Sequence, residues 1–201
     1  MFITFEGGDG AGKTTHLRLL AQWLGEAGYD VVTTREPGGT ELGRSIRELI
    51  LHGGDVAPKA EALLYAADRA HHIATVVRPA LVRGTVVIAD RYLDSSVAYQ
   101  GVARELGLEE DRQLSLWATD GLMPDRTILL DVPVEVGSAR VGKSQDRIEA
   151  AGREFHESVR REFRLLAEKE PERWRIVDAT PDVETVAASV RAAVLDLFDR
   201  G

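Results

Sequence analysis

Short apolar runs alternate along the chain with longer stretches whose apolar residues recur every three or four positions. The runs are FITF (2–5), DVVTT (30–34), TVVIAD (85–90), TILLDV (127–132) and WRIVDA (174–179). Consecutive apolar residues in such short runs predict strands covered on both faces. Between them, Leu17, Leu20, Ala21 and Leu24 fall at helical spacing, as do Leu63, Leu64, Ala67 and Ala70. Val183, Val186, Val190, Val194 and Leu197 make a last stripe. Strand–helix alternation of this kind predicts an α/β fold, with a five-stranded parallel sheet carrying helices on both faces. No internal repeat, low-complexity run or linker interrupts the pattern, so one domain spanning 1–201 is expected. The stretch SARVGKSQDRIEAAGREF (138–155) stands apart. It is charged and rich in small residues, and it reads as a short mobile surface segment.

Composition narrows the picture. Hydrophobic residues make up 44% and charged residues 29%, an ordinary globular balance. The formal net charge of −8 argues against a nucleic-acid partner, which usually selects a basic surface. Without cysteine there can be no disulfide, thiol nucleophile or thiolate metal site. The opening MFITFE lacks the basic start and long apolar run of a leader, and no uncharged apolar stretch reaches the roughly 18 residues of a membrane span. A cytoplasmic protein with no membrane partner is therefore expected. Lysine occurs only at 13, 59, 143 and 169, and the other basic residues are arginine. Coding bias explains such an excess as readily as a preference for bidentate phosphate contacts.

Gly7-Gly8-Asp9-Gly10-Ala11-Gly12-Lys13-Thr14 follows the first strand and opens the first helix, and it fits the phosphate-loop pattern G-x-x-x-x-G-K-[ST]. Glycines let the backbone curl so that its N–H groups face a phosphate chain, and the helix N-terminus adds its positive end. Lys13 would reach the β- and γ-phosphates and is expected to be exposed to ligand. The Thr14 hydroxyl would bind Mg²⁺, with Thr15 beside it. The fold is thus of the P-loop NTPase type. The chain has no asparagine, so the Asn-Lys-x-Asp element of signalling GTPases is absent. A short ATP-binding chain with further anion sites suggests phosphoryl transfer to a second small molecule.

Asp90 and Arg91 close the third apolar run, at the strand end where ligands bind in open α/β sheets. Asp90 could hold the metal through water and Arg91 could grip a phosphate. A surface Asp–Arg pair would read the same way. Ser95, Ser96, Tyr99 and Gln100 follow within ten residues, and Arg35, Glu36, Pro37 and a Gly-Gly turn follow the second strand, with Arg44 and Arg47 beyond. His71 and His72, adjacent on a helix, point about 100° apart and read as ordinary helix residues rather than metal ligands.

Together FEGGDGAGKTT, TREPGGT, DRYLDSSVAYQG and DRIE, in this order and spacing, resemble the bacterial thymidylate kinase (dTMP kinase) family over nearly the whole chain. The resemblance implies ATP + dTMP → ADP + dTDP, with Mg²⁺, in a homodimer. It implies that Asp9 lies near the acceptor sugar and metal and that Tyr65 stacks on thymine. Arg69 would bond a base carbonyl, and Arg91, Arg35 and Arg47 would hold the acceptor phosphate. Ser96 and Gln100 would meet the base edge, Tyr99 would lie beneath the deoxyribose, and Pro37, after a cis bond, would shape the pocket floor. DATPDVE (178–184) would run along the adenine. Position 10 is Gly where some relatives carry Arg, which implies that the lid at 138–155 supplies the missing charge through Arg140, Lys143 and Arg147. Gly142 stands where many relatives have another Arg. The rivals are a kinase of another nucleoside monophosphate and a nucleotide-dependent regulatory protein.

Overall fold

The computed structural model describes residues 1–102, 107–141 and 151–198. The N-terminal half runs β1 (Phe2–Glu6), α1 (Lys13–Glu26), β2 (Val31–Arg35), α2 (Glu41–His52) and α3 (Pro58–His72), then a π-helical turn (Ile73–Val77) into α4 (Arg78–Val82). Next come β3 (Val86–Asp90), α5 (Leu93–Ser96), a second π-helical segment (Val97–Val102) and α6 (Leu108–Thr119). β4 (Arg126–Asp131), α7 (Val134–Arg140), α8 (Arg153–Lys169), β5 (Trp174–Asp178), α9 (Val183–Ala192) and α10 (Leu195–Phe198) complete the described chain.

All five strands lie parallel, in the order β2-β3-β1-β4-β5. The period-two alternation of side chains sorts the core into two layers. Ile3, Phe5, Ile88, Ile128 and Leu130 meet Leu17, Leu20 and Leu24 of α1 and Val186 and Val190 of α9. On the opposite face, Phe2, Val87 and Ala89 meet Ile73, Val77, Ala80 and Leu93. Leu129 on that face packs with Val159, Phe163 and Leu166 of α8. Register brings Phe5 and Arg35 each level with Asp90, so the loops leaving β1, β2 and β3 emerge side by side at one edge. Strand order reverses at β1, and the crevice this opens is the usual ligand position in such sheets.

Three expectations shift. β2 and β5 are edge strands, so Thr33, Arg35 and Ile176 are exposed and these two runs are not covered on both faces. On α3 the expected stripe faces the wrong way. Leu63 and Ala67 are exposed, while Glu61, Ala62, Ala66, Asp68, Arg69 and His72 are buried, because the inner face of this helix packs on α2, α6 and the polar turn after β2 rather than on the sheet. The stretch 138–155 is helical at both described ends, closing α7 and opening α8, and Lys143 and Arg147 fall outside the described residues.

Polar groups also cross the sheet's second layer. Thr4 and Thr127 share a hydrogen bond of 2.9 Å, and Arg173 donates to Thr127 at 2.6 Å and to both oxygens of the fully buried Asp94 at 2.6 and 2.9 Å. Removing one partner leaves a buried charge uncompensated, which typically costs about 3–5 kcal/mol, whereas replacing both by apolar residues is often neutral. Arg173→Met is therefore expected to lower the unfolding free energy in urea by about 3–5 kcal/mol, and Arg173→Met with Asp94→Leu is expected to recover most of that loss.

Candidate functional site

The loop between β1 and α1 is built against its neighbours. Gly10 has φ +75, and a Cβ there would run into the Gly137 backbone of α7, so a side chain at this position is excluded by contact as well as by conformation. Ala11 is buried in the core and anchors the loop from below. Lys13 is shielded from bulk water, and its ammonium group donates to the carbonyls of Gly7 at 3.0 Å and Gly8 at 2.9 Å. A buried ammonium needs such partners, and the loop's own carbonyls are the nearest. Burial, then the neighbouring Arg91, holds the Lys13 pKa below the usual lysine range despite Asp9, Asp90 and Glu6. The Thr14 hydroxyl donates to Asp90 at 2.8 Å.

Lys13, Thr14 and Thr15 line one cavity with Gly10, Gly12, Arg35, Arg47, Asp90 and Arg91. Gly7 and Gly8 border a separate cavity against α7 and α8. A third cavity gathers Pro37, Arg47, Tyr65, Arg69, Arg91, Ser96, Tyr99 and Gln100. Nine of the ten residues expected at the acceptor site thus share one cavity, counting Asp9; the tenth, Arg35, is exposed beside the loop cavity. The two cavities share Asp9, Glu36, Arg47 and Arg91.

Arg91 occupies this junction in a left-handed backbone conformation, φ +71. Its guanidinium donates to the Gly7 carbonyl at 3.2 Å, Ser95 at 3.1 Å, Asp9 at 2.7 Å and the Tyr99 hydroxyl at 3.2 Å. Burial pushes the Asp9 carboxyl up, but Arg91 and Lys13 outweigh it and leave the group below its ordinary range. Glu6, fully buried at the end of β1, accepts from the Tyr92 amide at 2.8 Å and Ser95 at 2.6 Å. Burial, reinforced by Asp94, pushes its carboxyl up to about 8.

Arg69 is also buried. It donates to Glu36 at 2.8 Å, Ser115 at 2.9 Å and Ser96 at 2.8 Å. Glu36 also meets the Nδ1 of His72 at 2.8 Å, and the Nε2 of His72 meets Thr34 at 2.6 Å. The Glu36–Pro37 bond is cis, and Arg47 donates to the Pro37 carbonyl at 3.3 Å. Gln100 donates to Glu61 at 3.0 Å. Arg140 is drawn to the loop after β5, donating to Ala179 at 3.0 Å and Thr180 at 3.3 Å, with Gly10 at 3.5 Å.

Sequence reasoning overlooked Glu6, Glu36, Glu61 and Gly137. A glutamate ending the otherwise apolar run FITFE was the available sign for Glu6; Glu61 and Gly137 carry none, since their partners lie 39 and 127 positions away.

The oxygens at Thr14 and Asp90 suit a hard cation. Among the described residues no group of three or more His, Cys, Asp or Glu could hold a metal ion. One hydroxyl and one carboxylate instead match Mg²⁺ sites in which substrate phosphates complete the coordination. No helix among the described residues is long and apolar enough to cross a membrane.

The chain matches the family described as thymidylate kinase over residues 5–190. A thymidylate kinase of Leifsonia xyli subsp. xyli is 60% identical over 195 residues, covering 95% of this chain and 92% of that protein. One from Thermomicrobium roseum is 52% identical, covering 100% and 97%. The crystal structure of thymidylate kinase from Ehrlichia chaffeensis superposes with a TM-score of 0.80 at 34% identity, over 96% of this chain and 98% of that one. With near-complete coverage in sequence and in structure, and with a phosphate loop joined to a second polar cavity, this chain belongs to the thymidylate kinase family.

Proposed function

We propose that this chain transfers the γ-phosphoryl group of ATP to dTMP, giving ADP and dTDP for dTTP biosynthesis. The observation that carries this reading is the meeting of two cavities at Asp9 and Arg91. ATP lies along the phosphate loop from Gly7 to Thr15, with its adenine beside 178–184. The acceptor phosphate is held by Arg91, with Arg35 and Arg47 nearby. Tyr65 stacks on the base, Arg69, Ser96 and Gln100 meet its edge, Tyr99 lies beneath the sugar, and Pro37 forms the floor. Asp9 faces the acceptor sugar and metal.

An oxygen of the acceptor phosphate attacks the γ-phosphorus in line. The bond to the β,γ-bridging oxygen breaks, and ADP leaves with its electron pair. The attacking oxygen is already anionic, so no general base is required, and catalysis reduces to positioning and charge neutralisation. Lys13 and Arg91 supply positive charge from fixed positions. Thr14 and, through water, Asp90 would hold Mg²⁺, which would supply positive charge to the phosphates. Arg140, Lys143 and Arg147 are proposed to add charge from a lid at 138–155 of one 1–201 domain; Arg140 must first exchange its contacts with Ala179 and Thr180 for phosphate oxygens. Exclusion of water by the lid favours transfer over hydrolysis. A homodimer is proposed from the family and from exposed Leu49, Leu63 and Trp117 on α2, α3 and α6, with α3 packed against both of the others. A cytoplasmic location is part of the same reading.

A coupled ADP-release assay across nucleoside monophosphates tests the activity. Turnover is expected to depend on an acceptor and to be fastest with dTMP; ADP release at the same rate without acceptor would overturn the reading. Lys13→Ala is expected to reduce kcat by about 10²–10³, the usual cost of one lost transition-state contact. Circular dichroism should show the fold retained, and activity within a few-fold of the unsubstituted enzyme would remove Lys13 from the site.

A further inference from the structure

Glu61 lies in the first turn of α3, is fully buried, and faces the acceptor cavity only through another side chain. Its Oε1 accepts a hydrogen bond from the Nε2 of Gln100 at 3.0 Å. Gln100 is itself buried and lines the cavity. Glu61 Oε1 accepts in this bond, so the Gln100 amide presents nitrogen to it; the flipped amide would set its oxygen against the carboxyl oxygen. The oxygen and the nitrogen of a planar amide diverge from its trigonal carbon. The carbonyl oxygen of Gln100 is thus the end turned away from Glu61.

From this we infer that Glu61 is a specificity-determining positioning residue: by holding Gln100 with its carbonyl toward the base, it makes the site select pyrimidines that carry N3–H. Thymine and uracil have a donor at N3. Cytosine has a lone pair there, which would face the Gln100 oxygen with no proton between them. This deepens the reading of the cavity as the base site and rests on it. The selection falls on the 4-oxo against the 4-amino pyrimidine, and it acts without Glu61 touching the substrate.

Glu61→Gln tests the assignment. The new side chain has nearly the same shape but can both donate and accept, so either orientation of the Gln100 amide is satisfied. A hydrogen bond to a charged group favours one orientation by about tenfold or more, and that preference is what the substitution removes. The ratio of kcat/KM for dTMP to that for dCMP is expected to fall about tenfold, mostly by improvement of dCMP. A purely structural role would lower both substrates together and leave the ratio unchanged, which would overturn the inference. Should Glu61→Gln fail to fold, Gln100→Met removes the carbonyl while keeping the side-chain length. It is expected to lower the same ratio, and an unchanged ratio again overturns the inference. If the unsubstituted enzyme does not turn over dTMP, the reading of the cavity falls and this inference with it. If it does, and neither variant moves the ratio, the roles of Glu61 and of Gln100 in choosing the base fall while the activity stands.

Discussion

The Arg91 guanidinium sits largely out of water, where an unpaired cation would cost several kcal/mol, and it is compensated by four groups from two segments. Gly7 and Asp9 come from the phosphate loop, and Ser95 and Tyr99 come from the chain after β3. The contact therefore ties the loop to the wall of the second cavity. It also explains the left-handed backbone at Arg91, a conformation that a non-glycine residue keeps only when its surroundings impose it. Glu6 stands behind this arrangement. It binds the Tyr92 amide directly and reaches Arg91 through Ser95, so the strand that launches the loop also fixes the turn that carries the clamp.

A second buried network shapes the cavity lined by Tyr65, Arg69 and Gln100. Glu36 receives Arg69 and the Nδ1 of His72, and as a carboxylate it assigns the proton to that nitrogen. The Nε2 of His72 shares a hydrogen bond with the Thr34 hydroxyl. Asp68 accepts from the Gly38 amide at 3.3 Å, while burial and the nearby Glu36 push its carboxyl up to about 6. These contacts pin α3 against the turn after β2. The inner face of the helix is consequently polar, and a spacing rule that seeks an apolar stripe finds Leu63 and Ala67 on the outside instead.

Contact between glycines joins the phosphate loop to α7. A Cβ at Gly10 would meet the Gly137 backbone, and one at Gly137 would meet the Asp9 carbonyl. The same helix ends in Arg140, whose guanidinium reaches the loop after β5. The absence of an arginine at position 10 is thus matched by a neighbour that leaves no room for one.

The sequence by itself determined the strands, the phosphate loop and the list of polar residues around a second site. Each of these is local: consecutive apolar residues, glycines at fixed offsets, and an Asp–Arg pair closing a strand. Strand order was not local. The insertion of β3 between β1 and β2 brings Glu6, Arg35 and Asp90 to one edge, and only the packed sheet decides that. Tertiary structure alone also paired Glu6 with Ser95, Glu61 with Gln100 and Gly10 with Gly137, across 89, 39 and 127 positions. It also gave the Lys13 ammonium the carbonyls of Gly7 and Gly8 as partners, because a buried ammonium is settled by whichever carbonyls surround it. A side chain's type is written in the sequence, but its partner is set by the fold that removes both from water.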